Sequence, residues 1–167
     1  MEKLEKFCKI AVKEGALEAK VISAKTIAVS PWVRLKCQFG CGGYGERLTC
    51  PPYSPTPEQT KEVVKSYKRA ILIHGKEHVD VSKIAVKLER EIFLGGYYKA
   101  FAFGSGPCRL CSDCNIHKSC KNPDLARPAM EASGIDVFKT ARSNGFKIEV
   151  VKSDDCDQNY YGLVLVE

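Results

Sequence analysis

The chain has 167 residues, 44% of them apolar and 28% charged, with a formal net charge of +6. That balance excludes a disordered chain. Its apolar stretches, such as Ile27 to Val33, fall far short of the roughly 20 residues that span a bilayer. The length argues for a single domain over residues 1–167, large enough to bury a real core. Met1 to Lys6 mix charges with no apolar block behind them, so no secretory signal is expected and the cytoplasm is the expected location. Lys and Arg are interleaved with Glu along the whole chain in runs no longer than two, a solvated surface rather than a nucleic-acid footprint. Nineteen Lys and thirteen Glu against seven Asn plus Gln and two Met lean toward a thermophile composition.

Taken in chain order, Glu2 to Glu14 set Leu4, Phe7, Cys8, Ala11 and Val12 on one helical stripe, with Gly15 as a stop. Cys8 lies within that stripe and reads as a small buried apolar side chain. Ala19 to Val29 suggest extended structure ended by Pro31. Val33-Arg34-Leu35-Lys36 alternates apolar and charged residues, which predicts a half-buried strand leading into Cys37. Cys37 to Pro57 is a Gly- and Pro-rich loop without period, long enough to suggest function. Thr56-Pro57-Glu58-Gln59 forms a capping box, and Val63, Val64, Tyr67 and Ala70 follow on the inward face. Ala70 to His74 reads as a buried strand, and Asp80 caps a helix whose apolar face is Val81, Ile84, Ala85, Leu88 and Ile92. Tyr98 to Phe103 predicts a strand running through Gly104-Ser105-Gly106-Pro107 into Cys108. Pro128 to Ser133 looks like a short helix broken at Gly134, and Asp136 caps another over Val137 to Ser143. Strands are expected over Phe146 to Val151 and Tyr160 to Val166. The fold class expected is α/β, with helices packed on one mixed sheet and two cysteine-rich metal-binding loops.

Nine cysteines are present, seven of them in two clusters. In a reducing compartment clustered cysteines read as metal ligands or catalytic groups, disulfides being the hyperthermophile exception. Cys108-x2-Cys111-x2-Cys114-x5-Cys120 is close to the ferredoxin spacing for a cubane cluster. Three ligands on a tight loop can each hold one iron of a cube, and a more distant cysteine takes the fourth. Zinc prefers two separated Cys pairs, which this spacing lacks, so a [4Fe–4S] cluster is the leading reading. Zinc and redox or disulfide chemistry remain the alternatives. His117, inside the loop, is an alternative ligand to Cys120 but reads as a surface side chain.

The first cluster, Cys37-x3-Cys41-x8-Cys50-Pro51-Pro52, offers three further metal ligands. Its fourth ligand is open, with Cys156 in the turn Asp154-Asp155-Cys156-Asp157 as the distant candidate. Acidic neighbours are expected to raise that thiol and make it a reluctant ligand. Gly104-Ser105-Gly106 starts like a dinucleotide fingerprint but fails at the third glycine position. It is expected instead to let the backbone approach the cluster. Two four-iron clusters, each with four thiolates and a core of about +2, would remove about four charge units and leave roughly +2.

Three motifs carry a family resemblance. They are Cys37-x3-Cys41-x2-Tyr44-Gly45-x4-Cys50-Pro51-Pro52-x-Ser54-Pro55, then Gly106-Pro107-Cys108-x2-Cys111-x2-Cys114, then Arg127-Pro128-Ala129-Met130-Glu131-Ala132-x-Gly134-Ile135-Asp136-Val137. Together they resemble an uncharacterised family of predicted metal-binding proteins found mainly in anaerobic archaea and bacteria. Ala129 stands where that family more often has Ser. The resemblance implies cysteine-bound metal, with iron–sulfur as the expectation, and supplies no reaction. A helix starting near Pro128, or Arg127 by its charge, is expected to favour the negative charge of the cluster.

One or two [4Fe–4S] clusters per chain serving electron transfer is the leading functional expectation, with a redox protein as partner and homo-oligomerisation possible. The alternatives are an enzyme or sulfur- or metal-handling protein using an open cluster iron as Lewis acid, or a zinc-stabilised binding module.

Overall fold

The computed structural model describes residues 2–77, 79–153 and 155–167; Met1, His78 and Asp154 lie outside it. Among the described residues five α-helices are formed: α1 (Glu2–Lys13), α2 (Trp32–Gly40), α3 (Pro57–Lys65), α4 (Val81–Leu94) and α5 (Val137–Ser143). Four strands, β1 (Glu18–Ser23), β2 (Arg69–Lys76), β3 (Phe101–Phe103) and β4 (Asn159–Leu165), make one sheet in the order β1-β2-β4-β3. Every strand pairing in it is antiparallel. The mixed sheet expected from the sequence reduces to one parallel bridge, Gly104 with Ala129, beyond the end of β3.

Helix starts follow the side chains that cap them. Thr56 and Gln59 form the reciprocal capping box of α3, and Asp80 and Asp136 accept from the backbone N–H groups of Lys83 and Lys139. Each of these side chains satisfies an amide that the helix itself leaves without a partner.

Both faces of the sheet are covered. Along β2, Ile71 and Ile73 face α1 and α4, packing with Leu4, Phe7, Ala11, Leu88 and Ile92. Ala70 and Leu72 face the other layer, with Val64 of α3, Val137 and Ala141 of α5, and Met130. Strand alternation therefore feeds two separate apolar layers, which is why β2 reads as a continuous apolar run. Cys8 belongs to the first layer and is 5% exposed, as its helical stripe implies.

Two expected strands are absent. Val33 to Lys36 lies within α2, where Val33 is buried and Leu35 is exposed. The segment 146–151 forms no strand, although Phe146 and Ile148 are buried in the core. The helix expected from Pro128 is a single 3-10 turn, Glu131–Ser133, closed by Gly134 in the left-handed region at φ +79°. Among the described residues no helix is long and apolar enough to cross a membrane.

Candidate metal centre

The second cysteine loop leaves β3 at Gly104. A Cβ at that position would lie 2.5 Å from the Ser82 hydroxyl, and the Ser105 N–H donates to that hydroxyl at 2.9 Å. Gly104 thus allows close approach to the start of α4. From there to Arg127 the chain has no helix or strand. Cys108, Cys111, Cys114 and Cys120 nevertheless line one pocket, joined by Asn122 and by Arg47 to Thr49 of the first loop. His117 is exposed and does not line the pocket.

Polar hydrogens point at these sulfurs. Asn122 donates from Nδ2 to Cys111 Sγ at 3.1 Å and from its backbone to Cys120 Sγ at 3.4 Å. The Leu48 N–H donates to Cys114 Sγ at 3.4 Å. Arg47 Nη1 donates to the carbonyls of Cys111 and Ser112 at 2.9 and 3.2 Å. One loop therefore forms a wall around the thiols of the other.

In the first loop, Cys37 is on α2, Cys41 caps its C-terminal end, and Cys50 follows a series of turns. Gly43 brings the loop together. A Cβ there would meet Pro107 at 3.2 Å, Cys50 Sγ at 3.3 Å and Cys41 Sγ at 3.7 Å. The thiols of Cys41 and Cys50 thus flank one point, beside the residue that precedes Cys108. The two loops meet, although the first leaves a helix where a strand was expected.

Burial pushes the Cys37 thiol up to about 11, and the charges of Cys41, Glu131 and Cys50 push the same way against Arg34. Burial also raises Cys50; the Thr49 hydroxyl opposes it, and Cys41 and Cys108 add to it. Thiols raised in this way are protonated at neutral pH, so any metal they take displaces protons. Among the described residues no three Cys, His, Asp or Glu side chains converge closely enough for a single ion.

Among the described residues, the hydrogen bonds of Cys156 lie within its own turn. It pairs with the Ser153 hydroxyl at 3.5 Å, and that bond lowers the thiol below its ordinary value despite Asp157. The expected raising by acidic neighbours is thus reversed; Asp154 of that turn lies outside the described residues. Arg127 is engaged elsewhere too. Its Nε and Nη2 donate to the two Glu89 carboxylate oxygens at 2.8 and 2.6 Å, so its charge is paired with Glu89 of α4. The three-residue turn at Glu131 likewise offers no helix N-terminus.

Asn122, Leu48 and Gly43 carried no role in the sequence reading. Glu131 lies inside the third motif, and its Oε2 is buried without a hydrogen-bond partner. Burial pushes that carboxyl above its ordinary value.

A family model described as "Predicted metal-binding protein (DUF2284)" matches residues 20–166. Comparison with curated proteins gave no match, and comparison with solved structures gave none.

Proposed function

The chain belongs to the DUF2284 family of predicted metal-binding proteins, and from that premise we propose that it is an iron–sulfur protein serving electron transfer. Cys108, Cys111, Cys114 and Cys120 bind one [4Fe–4S] cluster, and Cys37, Cys41 and Cys50 hold a second centre. The observation that carries this reading is the pocket lined by all four thiols of the second loop. Four thiols on one loop at near-ferredoxin spacing suit a cubane cluster, whereas tetrahedral zinc is commonly held by two separated Cys pairs. The N–H groups aimed at Cys111, Cys114 and Cys120 also suit thiolates that carry cluster charge.

A bound cluster supplies one-electron chemistry. The chain's part is to hold the thiolates, to orient amide hydrogens on them, and to bring two loops into contact so that their centres can exchange electrons. The redox partner is another protein. All nine cysteines are free thiols, which suits a reducing compartment such as the cytoplasm.

A second reading, an enzyme with an open iron at the first loop, draws on the three cysteines there and on the exposure of Cys41.

Anaerobic purification followed by visible absorption and by iron and sulfide assays tests the main reading. A brown protein with about four or eight irons per chain is expected. Replacing Cys111→Ala should remove about four irons. A colourless zinc protein, or a Cys111→Ala protein with the parent's iron and spectrum, would sink it.

A further inference from the structure

The first loop supplies three thiols, and Cys156 is engaged with Ser153 in a separate turn. A different group stands beside the loop. The turn Glu131–Ser133 packs against α2, the helix that carries Cys37. Its backbone is tied to both flanks of the loop. The Ser30 N–H, just before α2, donates to Gly134 O at 2.8 Å, and Ser54 Oγ, four residues past Cys50, donates to Ala132 O at 2.6 Å. Gly134 adopts φ +79°, and a Cβ there would lie 2.7 Å from Pro57, so the turn is fixed against α3 as well.

Glu131 is held in this clamp. Its carboxyl is one of the charges facing Cys37, and its Oε2 is buried with no hydrogen-bond partner among the described residues. Arg34, the cation nearest in kind, donates instead to Pro55 O at 3.4 Å. A buried polar oxygen without a partner is costly, and native structures that keep one generally keep it for a bound water, an ion or a functional role. Of the three thiols short of a fourth donor, Cys37 sits on α2, the helix against which the Glu131 turn packs.

We propose that Glu131 is the fourth protein donor of the centre held by Cys37, Cys41 and Cys50, a carboxylate where an all-cysteine site would carry a thiolate. This rests on the reading that the first loop binds an iron–sulfur centre, and it names what completes the ligand set. On loading, a bond forms between the Glu131 carboxylate and one iron, and any proton the carboxyl carries leaves to solvent. The carboxylate carries the same single charge as a thiolate, so the charge of the centre is that of a four-thiolate cluster. A hard oxygen donor suits iron less well than sulfur does. One iron of this centre is therefore distinct from the other three and the first to exchange.

The test uses the full chain, reconstituted anaerobically with iron and sulfide, and is read by metal and sulfide content, EPR and Mössbauer spectra. Glu131→Gln keeps the size and polarity of the side chain but removes the anionic donor. It should lose about one iron per chain and show a three-iron EPR signal after mild oxidation. Cys156→Ser should match the parent. Glu131→Cys should restore full iron content, with altered Mössbauer parameters at one iron site.

The assignment is overturned if Glu131→Gln retains all the parent's iron with unchanged spectra, or if Cys156→Ser is the variant that loses iron. Should Glu131→Gln fail to fold, Glu131→Cys decides alone: an altered single iron site supports the assignment, and a spectrum identical to the parent's overturns it. Cys41→Ser separates the two levels of the argument. If it loses the first centre while Glu131→Gln does not, only the carboxylate assignment falls. If it too retains every metal, the first loop binds none and the reading beneath falls with it.

Discussion

Asn122 places two donors on two different sulfurs, a side-chain N–H on Cys111 and a backbone N–H on Cys120. In the proposed cluster such bonds would favour the more negative, reduced state, since they stabilise whichever state carries more charge on sulfur. Asn122→Ala keeps the backbone donor and removes one charge-assisted bond. Its potential should drop by on the order of 50 mV, the equivalent of just over 1 kcal/mol for one electron. Protein-film voltammetry measures this, and an unchanged potential would show that the amide is only packing. Two buried thiols set a second residue-level expectation. Burial, with Glu5 adding to it, pushes Cys8 from 9.0 up to about 11, and Cys37 is raised to a similar value. Between those limits the unfolded chain has lost protons that the folded chain keeps. Stability from this source is therefore present below about pH 9 and lost as pH rises through about 11. The thermal midpoint of the metal-free protein should fall across that window, with a shallower slope in Cys8→Ala. A midpoint that stays flat from pH 9 to 11 contradicts the assigned burial.

The pairing of Arg127 with Glu89 joins α4 to the point where the second cysteine loop re-enters the fold. Glu89 also accepts from the Ala102 N–H on β3 at 2.7 Å, so one carboxylate holds a helix, a strand and a loop end. Both partners remain about one-sixth accessible, at 16% and 15%, so the loss falls below that of a fully buried pair. Glu89→Ala should cost about 2–3 kcal/mol in urea unfolding, and Glu89→Gln less, because the amide oxygen can still accept from Ala102. Equal stability of Glu89→Ala and the parent would remove this tie from the account. Elements anchored by caps were legible before the structure: Thr56, Asp80 and Asp136 start α3, α4 and α5 where their side chains dictate. The misread elements had pattern but no context. Val33 to Lys36 alternates over four residues, too few to separate two periods, and Leu35 is exposed in the helix. Phe146 and Ile148 do alternate inward, but β2 and β3 already occupy both edges of β4. The segment packs on the face of the sheet instead, its Lys147 and Ile148 carbonyls taken by the Tyr161 hydroxyl and Arg142.

At the scale of the whole molecule the seven loop cysteines were visible as spacing, because the candidate ligands on one loop are also neighbours in sequence. Leu48, Glu131 and the side-chain bond of Asn122 to Cys111 were not, because those relations arise where separate segments meet in space. The same separation governs what metal removal will do. Neither apolar layer of the sheet includes any of those seven thiols; the one cysteine in either is Cys8. The two layers are therefore packed without those thiols, whereas residues 105–127 carry no helix or strand of their own. Chelation under anaerobic conditions should leave the far-UV circular dichroism nearly unchanged and open that loop to proteolysis. A cluster present at 1,000 times its dissociation constant contributes about 4 kcal/mol to the folded state. At about 2–4 °C per kcal/mol for a chain of this size, the thermal midpoint should drop by roughly 10 °C. Cleavage should map between Ser105 and Arg127 and leave β4 paired with β2. If chelation instead abolishes the far-UV signal, the sheet depends on the metal, and the independence of scaffold and loops is wrong. If the loop resists protease equally with and without metal, its order comes from the Arg47 and Asn122 hydrogen bonds alone.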